Sequence, residues 1–348
     1  MTRAARYKEE LLENIIPFWM KHSIDEQHGG FWTCLDREGN LYDDRKYVWL
    51  NGRQVWTLAK LYNTVEKREE WLTAAQRGAE FLRKHVYDEQ GRCYFALNRD
   101  GSPAAYQRKP YGALFVMLGF LELSKATGDE SFKAEAIKLF DKIQRWIADP
   151  TLLGRPGKLP SQLADIYAMA FMSLELGLPY QPVNIEAHIQ KGVLIETAAP
   201  LSTPEGRLFC PGSSFEIAWI LMRLKPEQWH LDVIEATMQH WDNGFPYFID
   251  IEGRPTFQLE HSQRLWWVHV EALIALAQAY KHTGDAKWLK WFDQVDTWTW
   301  QHFRDPEYGE WYGYLDKHGN PELTCKGNHY KGCFHIPRAL LYCSQLLE

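Results

Sequence analysis

Most short signatures that assign a protein on sight are missing from this 348-residue chain. Its six cysteines (Cys34, Cys93, Cys210, Cys325, Cys333, Cys343) form no CxxC pair and no regular spacing, which argues against a disulfide framework and favours free thiols in a reducing cytoplasm. No basic block occurs and the formal net charge is −6, so nucleic acid and anionic membranes are excluded as expected partners. No apolar run reaches the length that spans a bilayer. The first residues, MTRAARYKEELLENIIPFW, are charged and amphipathic and lack the apolar centre of a signal peptide. HExxH, GxSxG, P-loop and GxGxxG patterns are absent from any supporting context, which weakens zinc hydrolase, serine hydrolase and dinucleotide readings. A Pro/Gly/Ser-rich linker is missing too, and one domain over 1–348 is expected.

What the chain does hold is helix. Apolar residues recur at i, i+3 and i+4 over 4–20, 50–65, 70–85, 111–126, 131–147, 162–176, 213–224, 263–281, 286–302 and 337–347. Strand-like alternation is confined to short pieces around Phe31, Cys93 and Phe245. A weak repeat runs through the connections: Asp25-Glu-Gln-His-Gly-Gly-Phe-Trp is echoed at Asp88 and Asp305, more loosely at Trp241. A second echo, Ala126-Thr-Gly-Asp and His282-Thr-Gly-Asp, sets a Gly to end one helix and an Asp to cap the next. Six hairpins would fill the chain. With no polar capping repeat at either end, a closed all-α toroid, an (α/α)6 barrel, fits better than an open solenoid.

The stretch richest in chemistry is Lys326 to Arg338, reading KGNHYKGCFHIPR. Gly327 and Gly332 are expected to let the backbone approach a ligand closely, and Pro337 to start a helix. His335 at that junction, with Arg338, is the best base-plus-cation pair, since neutral His suits proton transfer near pH 7. Arg53 in Asn51-Gly-Arg-Gln-Val-Trp is expected in the first turn of a helix, an unfavourable place for a cation, and reads either as a surface ion pair or as a residue awaiting an oxygen-rich partner. In Leu265-Trp-Trp-Val-His-Val-Glu, His269 and Glu271 lie two apart and so on different faces. His269 reads as a satisfied core residue, Glu271 as a buried carboxylate needing a partner, and Trp266 or Trp267 as a ring to stack on a ligand. Ser213 or Ser214 reads as a helix cap with Glu216 as its capping-box partner, or Glu216 as a site carboxylate. Glu216 with Glu271 would also serve a glycosidase.

These residues carry a resemblance. Ile16-Pro-Phe-Trp, His28-Gly-Gly-Phe-Trp-Thr-Cys-Leu-Asp, Asn51-Gly-Arg-Gln-Val-Trp, Gln258-Leu-Glu, Leu265-Trp-Trp-Val-His-Val-Glu, Asp305-Pro-Glu-Tyr-Gly-Glu-Trp-Tyr and Lys331-Gly-Cys-Phe-His-Ile-Pro-Arg resemble, in order and nearly end to end, the N-acylglucosamine 2-epimerase family, also called renin-binding proteins. The resemblance implies an (α/α)6 barrel and a free sugar as substrate, epimerised at C2 by proton abstraction through an enediolate. It implies that His335 exchanges the C2 proton, Arg53 binds the oxyanion and Glu271 positions the sugar oxygens, with Glu216, Ser213, Trp267, His261 and Arg338 lining the substrate. No metal or redox cofactor is implied, and homodimers are frequent in the family. Two positions depart from its pattern: Ser213 stands where the family has a proton-transferring His, and His261 where it has Trp. The alternatives are therefore an aldose–ketose isomerase of the mannose type with His335 as single base, or a sugar-binding barrel that has lost catalysis.

Overall fold

The structure, a computed structural model, describes residues 1–348. The helices are α1 (Arg3–Glu10), α2 (Ile16–His22), α3 (Val48–Thr64), α4 (Glu69–His85), α5 (Tyr111–Thr127), α6 (Glu130–Ala148) and α7 (Leu163–Leu176). They continue as α8 (Ile185–His188), α9 (Pro211–Leu224), α10 (Gln228–Met238), α11 (Trp266–Thr283), α12 (Ala286–Phe303) and α13 (His335–Leu346). A π-helical turn at Leu11–Ile15 joins the first two. Every amphipathic run read from the sequence contains a helix, although 263–281 opens on the short strand Arg264–Leu265 before α11. The unexpected α10 buries His230 and Thr237 along with Leu231, Val233, Ile234 and Met238, and those polar letters broke its apolar stripe. No helix is long and apolar enough to cross a membrane.

Two compact units are distinguished: Ile15–Leu159 with Cys325–Pro337, and Met1–Asn14 with Pro160–Thr324 and Arg338–Glu348. In the first unit α3 packs on α4 and α5, and α5 on α6. α5 is buried almost all round, whereas α6 buries only the stripe Phe132, Ala136, Leu139, Ile143 and Trp146. Gly52 and Gly119 bring α3 and α5 together: a Cβ at Gly52 would stand 2.5 Å from the Phe115 carbonyl, and one at Gly119 2.8 Å from the Gly52 oxygen. In the second unit α9 packs on α7, α10 and α11, and α11 on α12. The same alternation holds there, with α9 and α11 buried all round and α12 along one side.

The echoes are structural. At Asp25, Asp88 and Asp305 the carboxylate accepts main-chain N–H groups two residues on, and antiparallel bridges Ile24↔Phe31, Tyr87↔Cys93 and Arg304↔Trp311 close the three turns. A bulged two-stranded hairpin follows each, Cys34–Leu35 with Leu41–Asp43, Ala96–Leu97 with Pro103–Ala105, and Tyr314–Leu315 with Pro321–Leu323. Between helices, Gly128 and Gly284 take left-handed φ of 75° and 69°, and Asp129 and Asp285 then accept from Ser131 and Lys287 N–H.

His269 is the core residue its position on α11 implied. Its Nδ1 bonds the Leu265 carbonyl at 2.7 Å, and its Nε2 accepts the Phe245 N–H at 2.9 Å, so that pair of contacts requires the neutral ring. Burial, opposed by the Leu265 carbonyl, lowers its pKa from 6.5 to about 3. The unfolded chain therefore binds a proton between pH 6.5 and about 3 that the fold refuses, and stability falls as pH falls through that window. Urea midpoints measured from pH 7 to 4 should drop, and His269→Gln should flatten the curve; an unchanged slope would assign the effect elsewhere.

Candidate active site

In the second unit, α9, α11 and α13 each contribute one charge to a buried cluster. Arg338 Nη2 donates to Glu216 Oε1 at 2.5 Å and to Glu271 Oε1 at 2.6 Å. Glu271 Oε2 accepts from Trp219 Nε1 at 2.9 Å. Arg338 is 1% exposed, Glu271 0% and Glu216 7%. The guanidinium also lies by the rings of Phe171 and Trp219. Burial opposes its charge, but Glu271 and Glu216 outweigh that and raise its pKa well above the ordinary value. A glycosidase pair needs one carboxyl as proton donor. Here both accept from one cation, an arrangement suited to holding hydroxyl groups.

The capping reading of Glu216 is replaced by this pairing. α9 starts at Pro211 with Cys210 as N-cap and no side-chain cap; the Ser214 hydroxyl instead accepts the Leu194 N–H at 3.1 Å. Ser213, the third residue of α9, lies in the neighbourhood of Glu196, a residue the sequence reading passed over. Burial pushes Glu196 up to about 7, with the Ser213 hydroxyl opposing the shift. Trp267 lies over Gly212, where an added Cβ would meet its ring at 2.5 Å, and stands edge-on to Tyr247 at 6.1 Å. His261 is exposed on a turn, its Nδ1 2.8 Å from the Gln258 carbonyl oxygen, so its ring is engaged locally.

In the first unit Arg53 is 6% exposed. α3 begins at Val48, which moves Arg53 out of the first turn, and its guanidinium faces Phe115 at 4.0 Å and Trp49 and Phe334 at 4.6 Å each. The surface location is thereby corrected: the guanidinium is buried among three aromatic faces, which suit a weakly hydrated planar cation. His335 is the first residue of α13, also 6% exposed, and packs edge-on against Phe334 at 5.1 Å.

The segment leading to it is fastened rather than open. Asn328 Oδ1 accepts the N–H groups of Tyr330 and Lys331, Lys331 Nζ bonds the Lys326 carbonyl, and Thr57 Oγ1 bonds the Cys333 carbonyl at 2.8 Å. Gly327 approaches the main chain at Thr33, where a Cβ would come within 2.1 Å of the carbonyl oxygen, so its small size serves loop packing and not the ligand approach expected of it.

The fold is shared with solved sugar-converting enzymes. A cellobiose 2-epimerase from Spirochaeta thermophila superposes with a TM-score of 0.84 at 21% identity, over 99% of this chain and 96% of that one. A D-mannose isomerase gives 0.81 at 19% identity, over 98% and 97%. Both likenesses define the fold, an all-α (α/α)6 barrel. The family is defined by sequence: the N-acylglucosamine 2-epimerase profile matches residues 30–171 and 195–338, and the N-acylglucosamine 2-epimerase of Bos taurus is 38% identical over 97% of this chain and 89% of its own. The chain belongs to the N-acylglucosamine 2-epimerase family.

Proposed function

We propose that the chain, as one domain over 1–348, is a 2-epimerase of a free sugar, of the N-acylglucosamine/N-acylmannosamine type. The 38% identity to the bovine enzyme across nearly the whole length carries this reading. The residues suit the chemistry. His335 takes the C2 proton of the ring-opened sugar, and the C–H electron pair moves into a C1=C2 enediolate. Arg53, buried among its rings, binds the negative oxygen at C1, where a fixed charge in low dielectric acts most strongly. Glu271, Glu216 and Arg338 hold hydroxyl groups, and Trp267 offers a ring face to the sugar. A cytoplasmic location belongs to the same proposal, in keeping with cysteines that follow no disulfide spacing, as does a homodimer.

Proton NMR in D2O with N-acetylmannosamine, N-acetylglucosamine, mannose and glucose tests it. A new epimer carrying deuterium at C2 is the expected result. A ketose product would establish the single-base isomerase instead. No deuterium in any of the four sugars, with the protein folded, would leave a binding barrel and overturn the enzyme reading.

A further inference from the structure

Proton transfer beside a carbonyl asks two side chains to meet one small molecule, a cation at O1 and a base at C2. If the proposed function holds, and this inference rests on it, the spacing of Arg53 and His335 has to be held closely, since a misplacement of about 1 Å costs on the order of 10²-fold in rate. The two lie far apart along the chain, yet both belong to the first unit.

One face of α3 joins them. Arg53, Trp56 and Thr57 occupy positions i, i+3 and i+4, which point the same way. All three meet the segment that ends in His335. The Arg53 guanidinium lies 4.6 Å from the centre of the Phe334 ring, and Trp56 packs edge-on against that ring at 5.4 Å. Phe115 of α5 meets it at 5.4 Å as well. The His335 ring stands edge-on to Phe334 at 5.1 Å. Phe334 is thus a shared spacer, touched by the cation and by the base.

Ring packing is non-directional and leaves a segment free to slide along a helix. Hydrogen bonds supply the register. Trp49, one turn before Arg53, donates from Nε1 to the His329 carbonyl at 3.1 Å and ties down the upstream end of the segment. Nearer the base, Thr57 Oγ1 lies 2.8 Å from the Cys333 carbonyl oxygen and 2.9 Å from the Arg53 carbonyl oxygen, and Thr57 is 2% exposed. Bonding the carbonyl four residues back is common for a helical threonine, and that carbonyl already serves the helix ladder. The Cys333 carbonyl belongs to another element and stands two residues before His335. One hydroxyl therefore links the peptide of Arg53 to the peptide that leads into the base.

We propose that Thr57 is a positioning residue for proton transfer, holding Phe334 and His335 in register with Arg53 through the Cys333 carbonyl. The hydroxyl takes no part in the chemistry itself. Its effect falls on the geometry of the transition state, and the hydroxyl groups of the sugar are held elsewhere.

Thr57→Val keeps the shape of the side chain and removes the donor; Thr57→Ala is the second variant, and Thr57→Ser restores the donor. The readouts in D2O are kcat and KM for deuterium entry at C2 of N-acetylmannosamine, with thermal melts and calorimetric titration by the same sugar. Thr57→Val and Thr57→Ala should lose kcat by about 10–10²-fold. KM, binding affinity and the number of sugars bound per chain should stay at wild-type values, and Thr57→Ser should recover most of the rate. A merely structural role would lower the melting temperature and the binding stoichiometry together and leave turnover per bound sugar unchanged. That result, wild-type kcat in both donor-less variants, or a Thr57→Ser as slow as Thr57→Val would overturn this inference alone. A wild-type protein that labels no sugar would overturn the proposed function first, and this inference with it.

Discussion

Arg338→Met should destabilise the protein by about 3–5 kcal/mol, the usual cost of removing one partner from a buried ion pair. The substitution keeps much of the side-chain volume and the apolar contact with Phe171 and Trp219, so the loss reports charge and not a cavity. Two carboxylates, 7% and 0% exposed, would be left facing each other with no cation between them. Urea unfolding at pH 7 measures the loss. Adding Glu216→Gln and Glu271→Gln to the same variant should return a large part of it, since removing all three charges also removes the burial penalty. A loss below about 1 kcal/mol for Arg338→Met, against that expectation, would mean that water reaches the cluster and that burial does not govern it.

His335→Ala should lower deuterium uptake at C2 by about 10²–10⁴-fold, the range general-base catalysis supplies. That corresponds to roughly 3–5 kcal/mol of lost transition-state stabilisation. His335→Gln, closer in volume, controls for the packing against Phe334 and should fall as far. Sugar binding, followed by calorimetry, should weaken much less than turnover, because His335 is assigned the proton and not the hydroxyl groups. Uptake within tenfold of wild type in both variants would move the base to another residue.

The helices were legible because each hides one stripe or its whole surface, and a period of 3.6 survives in the order of letters. The Gly-Asp junctions at 128–129 and 284–285 were legible for the same local reason, since cap chemistry involves neighbours. Position in space was not. Nothing near Glu216 announces that its partner is Arg338 rather than the serines beside it, and a capping box was the natural local reading. Arg53 read as readily as a surface cation as it did as a site residue, because its aromatic neighbours Phe115 and Phe334 lie on other elements. Glu196 had a faint signal, a lone carboxylate directly after Val193-Leu-Ile, where an apolar strand should carry the acid indoors.

The charge cluster also fixes an order in time. Along the chain Glu216 precedes Arg338 by 122 residues and Glu271 precedes it by 67. At synthesis rates of roughly 5–20 residues per second, the first carboxylate waits on the order of 6–24 s on the ribosome for its counter-ion. Until then α9 and α11 have no cation from α13 with which to bury these acids. Closing of that part of the molecule is thereby deferred until α13 has been made, and a nascent chain stopped short of Arg338 should remain a ready client for chaperones.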